Sequence, residues 1–223
     1  MKTSGTGLDV KRELASLKQR FETAAAQYEA LRTSAEGAVQ RWVWATAPYY
    51  HLDPLHFLDA QLPRGRLIKT APDEVRGLAA YGFSKTNRLV VERIHTNLKG
   101  RHYSTFYSEL EDRIVGYHFH YDPTQGCINC AQLLFSDQRP AMYQQWATGG
   151  YVSRSYVSAD GKIRSVMEVF KEASEPQERM SRELRYLDDG RVEVWTKWPA
   201  ERQADRTFRG IPPADNPFLT DAP

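Results

Sequence analysis

The residues best suited to chemistry by type and spacing are His118-x-His120, followed within ten positions by Cys127-x-x-Cys130. Imidazole and thiolate are the ligands zinc prefers, and two of each make a closed tetrahedral structural site. Strand geometry works against that set. A regular hairpin closed by residues 122–126 brings Tyr121 near Cys127 and His118 near Cys130, and alternation turns Cys127 away from the histidines. Only a bulge or a knuckle-like turn at 127–130 would gather all four. The competing expectation is two buried free thiols that pack as small hydrophobes. The sequence favours it, so no cofactor is expected and zinc at His118, His120, Cys127 and Cys130 is the sole metal site considered. A redox pair fits less well, because such a pair usually opens a helix and a strand follows here.

Other titratable residues offer acid–base chemistry. His95 and His102 flank a Lys99-Gly100 turn and would meet across a hairpin. A pair of that kind close to His118 or His120 would make an acid–base site. Glu92, Glu168 and Glu193, with Arg164 and Arg182, fall at alternate positions of strand-like runs. If they converge inside a barrel they build a polar cavity, where small ligands bind in such folds. If they point outward they are the solvated face of an amphipathic sheet, which is the reading the sequence favours. No nucleophile-elbow glycine pattern and no phosphate-cradling glycine loop occurs.

Two kinds of element must position these residues. From Val10 to Trp42, apolar residues recur at alternating three- and four-residue steps through Leu14, Leu17, Phe21, Ala24, Tyr28, Leu31, Ala35 and Ala38. This predicts a long helix over residues 1–47 with a narrow apolar seam, stopped by Pro48. A two-in-seven seam suits a coiled coil. The small alanines and the widening at Trp42, Trp44, Tyr49 and Tyr50 suit a helix docked on the chain's own sheet, and tip the balance that way. Residues 48–75 read as a proline-containing connector with a short helix near 53–62, capped by Asp53-Pro54.

Beyond residue 76 the period falls to two. Ten strand-like runs appear at 78–84, 88–96, 102–108, 112–121, 128–136, 141–147, 150–158, 162–170, 179–187 and 191–198. Asp160-Gly161 and Asp189-Gly190 supply the positive φ angles that tight hairpins select. Connections this short force antiparallel neighbours. The expected fold is therefore α+β: a long N-terminal helix and an antiparallel β-meander over 76–198, as a curved sheet, half-barrel or barrel. A proline-rich tail fills 199–223. Within 112–121, Val115, Tyr117, Phe119 and Tyr121 share one face, expected to lie under the helix, while His118 and His120 share the other.

Composition narrows the function classes. Thirty Lys and Arg against twenty-eight Asp and Glu leave a formal net charge of +2, with acids and bases intermixed. The phosphate-driven term of nucleic-acid binding is missing, and nucleic acid is a disfavoured partner. No run approaches the roughly 20 apolar residues of a membrane span. With no apolar leader and two closely spaced cysteines, a cytoplasmic protein is expected. The leading expectation is a non-catalytic protein-binding module of adaptor, immunity or chaperone type, gripping another protein or itself through the helix and the aromatic anchors Trp42, Trp44, Tyr49 and Tyr50. The alternative is a β-barrel or half-barrel enzyme or carrier whose small-molecule pocket uses His118, His120 and one of Glu92, Glu168 or Glu193. The reading leans away from an enzyme.

Overall fold

The computed structural model describes residues 8–60, 63–172, 177–189, 191–198 and 205–209. The N-terminal helix comprises α1 (Val10–Ala24), a single 3-10 turn (Ala25–Gln27) and α2 (Tyr28–Ala38). It starts where Asp9 Oδ1 accepts the free N–H groups of Lys11 and Arg12 at 3.1 and 3.2 Å. A short α3 (His56–Ala60) follows β1 (Arg41–Ala45). The meander then runs through β2 (Leu67–Ile68), β3 (Ala79–Phe83), β4 (Leu89–His95), β5 (His102–Leu110), β6 (Arg113–Phe119), β7 (Cys127–Ser136), β8 (Arg139–Ala147), β9 (Gly150–Ala159), β10 (Lys162–Glu172), β11 (Glu178–Tyr186), β12 (Val192–Lys197) and β13 (Asp205–Arg209). The described strands form one antiparallel sheet in the order β13 to β3, then β1 and β2, and it does not close into a barrel.

Two boundaries differ from the sequence expectation. The helix ends at Ala38, and residues 41–45, read as its continuation, pair with β3 from Arg41↔Phe83 to Ala45↔Ala79. The three-four seam runs on through Trp42 by coincidence. The segment is rich in β-formers, and its alternation sets Trp42 and Trp44 on one face and Val43 on the other. Gly82 makes the pairing possible: a side chain there would strike Val39 and the Trp42 ring. The sheet therefore starts at residue 41 rather than 76. It also extends past 198, since residues 205–209 of the expected tail pair with β12. The remainder of 199–223, and the Gly190 turn position, lie outside the described residues. The Asp160-Gly161 turn has φ angles of 53° and 71°, as its type requires.

The alternation of the strands divides the sheet into two faces, each with its own core. Under the helix lie Leu17, Ala24 and Ala35 with Val91, Phe106, Val115, Tyr117, Phe119 and Cys130. The helix seam is thus occupied by the chain's own sheet. Two glutamines pin it there: Gln132 donates to Gln144 Oε1 (2.8 Å) and to the Glu13 carbonyl, and Gln144 donates to the Val10 carbonyl. The opposite face is covered by the connector. Leu52, Leu55 and Leu58 pack with Tyr81, Tyr107, Leu133, Tyr143 and Tyr156. The short helix expected over 53–62 begins at His56, and Asp53 opens the turn before it, its Oδ1 accepting the Leu55 N–H at 2.9 Å. The connector is therefore a lid on the sheet.

Candidate functional site

Between that lid and the sheet lies a cavity of about 410 Å³. Pockets for small molecules run from about 300 to 1,000 Å³. Its floor follows from strand register. Tyr81, Glu92, Thr105, His118 and Asn129 pair successively across β3 to β7, so they form one row on one face. The next row holds Tyr107, Gly116, Ala131 and Gln145. Gly116 lets the Tyr107 ring lie across β6, since a β-carbon there would sit 3.0 Å from it. The lid contributes Pro48, Tyr50, His51, Leu52, Asp53 and His56.

The first row is joined by hydrogen bonds. Thr105 Oγ1 donates to Glu92 Oε2 at 3.2 Å and lies 2.9 Å from His118 Nδ1. Tyr107 also donates to Glu92 Oε2 at 3.2 Å, and Tyr81 adds a further bond. Burial raises the Glu92 carboxyl from 4.5 to about 7, against the lowering pull of these three hydroxyls. Burial, with a smaller push from His120, lowers His118 to about 4. His118 is therefore neutral at pH 7. A threonine hydroxyl has one hydrogen. When it goes to the Glu92 carboxylate, the oxygen accepts from His118 Nδ1–H and leaves Nε2 with its lone pair.

The lid carries a second group of titratable residues. His51 and His56 stack with ring centroids 3.6 Å apart. Burial first, then the neighbouring His56, lowers His51 to about 3, and burial also lowers His56. Asp53 anchors the lid to β9 by an ion pair with Arg154 and a 2.9 Å bond from Tyr156. Burial alone would raise the Asp53 carboxyl, but Arg154, His51 and these hydrogen bonds hold it low. Behind it, Arg154 also meets Asp59 (2.9 Å) and Glu168 (2.5 Å), and Arg182 bonds Glu168 (2.6 Å) and Asp59. Three carboxylates therefore share two guanidinium groups.

No protein-family model matches the sequence, and no curated protein is significantly similar to it. Geometry alone carries the assignment.

The residues singled out from sequence divide into four groups. His118 and Glu92 meet in the cavity, and Glu168 stands one residue behind it through Arg154. His120 lies beside it, its Nδ1 accepting the Asp122 N–H at 3.1 Å and its ring against Tyr103 and Tyr121. Glu193 accepts from Trp195 Nε1 at 3.0 Å, and Arg164 pairs with Asp160, both away from the cavity. His95 and His102 do meet, 5.2 Å apart, but in register with the helix face, where Trp44 stacks on His95.

The expected hairpin register at the cysteines is corrected by one residue. Tyr117, not His118, pairs with Cys130, because a bulge separates His118↔Asn129 from Phe119↔Cys127. The bulge brings both thiols to the helix face, and the sheet stands between them and His118. Burial raises Cys127 to about 12 and raises Cys130 as well, and Cys127 donates to the Asn129 carbonyl at 3.1 Å. Among the described residues no group of three His, Cys, Asp or Glu side chains is placed to hold a metal ion. The four aromatic anchors are half-buried. Trp42 packs in the helix-face core under Arg93, and Tyr49 and Tyr50 pack edge to face beside Tyr81. Sequence reasoning missed His51, His56, Thr105, Tyr107, Tyr143 and Arg154, and took Asp53 for a helix cap alone. The dense Tyr-Tyr-His-x-Asp-Pro-x-His run at 49–56 was the available signal.

Proposed function

We propose that the cavity binds a small organic molecule and removes a proton from it, with His118 as the contacting base and Glu92 as the final acceptor. The observation that carries this reading is the Glu92–Thr105–His118 row on the cavity wall. A neutral histidine of low basicity is a poor base alone. Here Nε2 takes the proton while Nδ1–H passes to Thr105 and the threonine hydrogen passes to Glu92. His118 ends neutral, and the proton rests on a carboxyl whose affinity is matched to neutral pH. Tyr107, Tyr143 and the His51–His56 stack supply flat walls, and the lid covers part of the row.

Binding of a partner protein through Trp42, Trp44, Tyr49 and Tyr50 has less to recommend it, because Trp42, Tyr49 and Tyr50 already pack against the chain's own cores and Trp44 stacks on His95. No helix among the described residues is long and apolar enough to cross a membrane. Two free thiols on the helix face fit a cytoplasmic setting, which belongs to the same proposal.

Benzyl alcohol at millimolar concentration is a suitable neutral probe. NMR should show it perturbing His118, Tyr107 and Tyr143, with the effect lost in Ala131→Trp or Val152→Trp, which fill the cavity. Probe shifts confined to other surfaces, or unchanged in a folded filled variant, would refute the site.

A further inference from the structure

The charge of the molecule that fits this cavity follows from how its ionisable groups are already committed. Among the described residues Arg154 is the one arginine or lysine lining the cavity, and it is shared among Asp53, Asp59 and Glu168. With Arg182 included, that cluster holds two positive and three negative groups, so no guanidinium is left to receive an anion. Arg64 lies over the Tyr49 ring at 3.6 Å and bonds the Tyr49 carbonyl, outside the lining. His51, His56 and His118 are all held neutral by burial.

Glu92 is the contrasting case. Its partners among the described residues are the hydroxyls of Thr105, Tyr107 and Tyr81, and no cation stands beside it. A carboxylate enclosed without a counter-ion is costly to charge and gains most from an added cation. The rings of Tyr50, Tyr107 and Tyr143 surround the same space, and tyrosine faces attract organic cations.

Building on the small-molecule reading above, we propose that the cavity takes a small organic cation, an ammonium or amidinium on an apolar body, whose N–H donates to His118 Nε2 and whose charge is balanced by Glu92. An N–H donor of this kind is also a proton donor to the row. The N–H bond breaks, His118 Nε2 gains the proton, Nδ1–H and the threonine hydrogen each move one place, and Glu92 becomes the neutral acid. The ligand is left as a neutral amine with a free lone pair.

Three isosteric probes separate the possibilities: benzylammonium, benzyl alcohol and benzoate, measured by NMR titration on the full chain at pH 7.5. The expected order is benzylammonium tightest, by about tenfold over benzyl alcohol, with benzoate weakest. Glu92→Gln should remove the preference for benzylammonium, and the exposed control Glu109→Gln should retain it. If Glu92→Gln does not fold, the pH series of the native protein decides. Benzylammonium should bind more tightly as pH rises from 6 to 8 and Glu92 ionises, while benzyl alcohol should not change. Benzyl alcohol or benzoate binding in the cavity as tightly as benzylammonium would overturn the cation assignment and leave the small-molecule reading intact. Failure of all three to bind there would overturn both.

Discussion

The two faces of this sheet are made by alternate residues of the same strands, yet they are built on opposite principles. The helix face is covered by α1 over β7 and β8 and by α2 over β4 and β5, while Val157 and Met167 on β9 and β10 stay exposed. Its apolar cluster is bordered by buried polar residues that include Glu13, Ser153, Gln132 and Gln144, the two amides being bonded to the Glu13 and Val10 carbonyls of α1. The other face is covered by a lid of fewer than twenty residues held by Asp53, Arg154 and Tyr156. It retains a cavity, three neutral histidines and a carboxyl raised to about 7. Close packing by a long helix leaves no room for chemistry. A short lid anchored by charges leaves room while partly burying the groups beneath it, which is the setting that perturbs titratable groups.

The largest expected effects come from breaking each face at its anchor. Phe119→Ala on the helix face opens a hole beside Tyr28 and Phe106 and should cost about 3–5 kcal/mol in chemical denaturation. Arg154→Ala leaves Asp53, Asp59 and Glu168 with one guanidinium, and should cost about as much. The two should differ in what else they change. Phe119→Ala should leave probe binding in the cavity intact at temperatures where it stays folded. Arg154→Ala should release the lid and abolish binding. Equal loss of binding in both would erase the distinction between the faces.

A smaller effect has the unusual sign of a stabilising substitution. The Glu92 carboxyl titrates near 7 in the fold and near 4.5 when unfolded, so the folded protein holds the extra proton between those values. Its contribution is favourable below that window and is lost as pH rises through 7. Glu92→Gln should therefore match the native protein at pH 4.5 and exceed it by about 1–3 kcal/mol at pH 8, in urea titrations at each pH. No gain at pH 8 would mean that Glu92 is solvated like an ordinary carboxylate.

The histidines act in the reverse direction. His51 titrates near 3 and His118 near 4 in the fold, against 6.5 unfolded, so the unfolded chain binds more protons across that interval. Their stabilisation is present above pH 6.5 and is lost as pH falls toward 4. His51→Asn or His118→Asn should each flatten the acid side of the stability profile by about 1 kcal/mol at pH 5.5. A profile unchanged by either would place the rings in water.

Much of the sheet was legible because its signals are local. Ten strand runs were visible as alternation between turn residues, and the alternation in 112–121 already set Val115, Tyr117 and Phe119 against His118. What was hidden depends on register. Glu92, Thr105 and His118 belong to three strands, and nothing in any one of them says that they line up. The pairing is set by turn geometry and by bulges such as the one at Phe119, which moved the cysteine register by one place. The lid was hidden for another reason. Residues 48–60 showed only a short helical pattern beside their prolines, so His51 and His56 were passed over inside an apparent connector. Residues 41–45 were misread because Trp42 happens to continue the helical spacing, and tertiary pairing with β3 decided the matter.

On the proposed mechanism, Glu92 and His118 act as one unit through Thr105. Its most direct test is an NMR pH titration that follows the Glu92 side-chain carboxyl and both ring nitrogens of His118. The expected result is a Glu92 midpoint near 7, a His118 ring that stays neutral down to about pH 4, and a shift in the His118 Nδ1 signal at the Glu92 midpoint that disappears in Thr105→Val. Independent midpoints near 4.5 for Glu92 and 6.5 for His118 would contradict it.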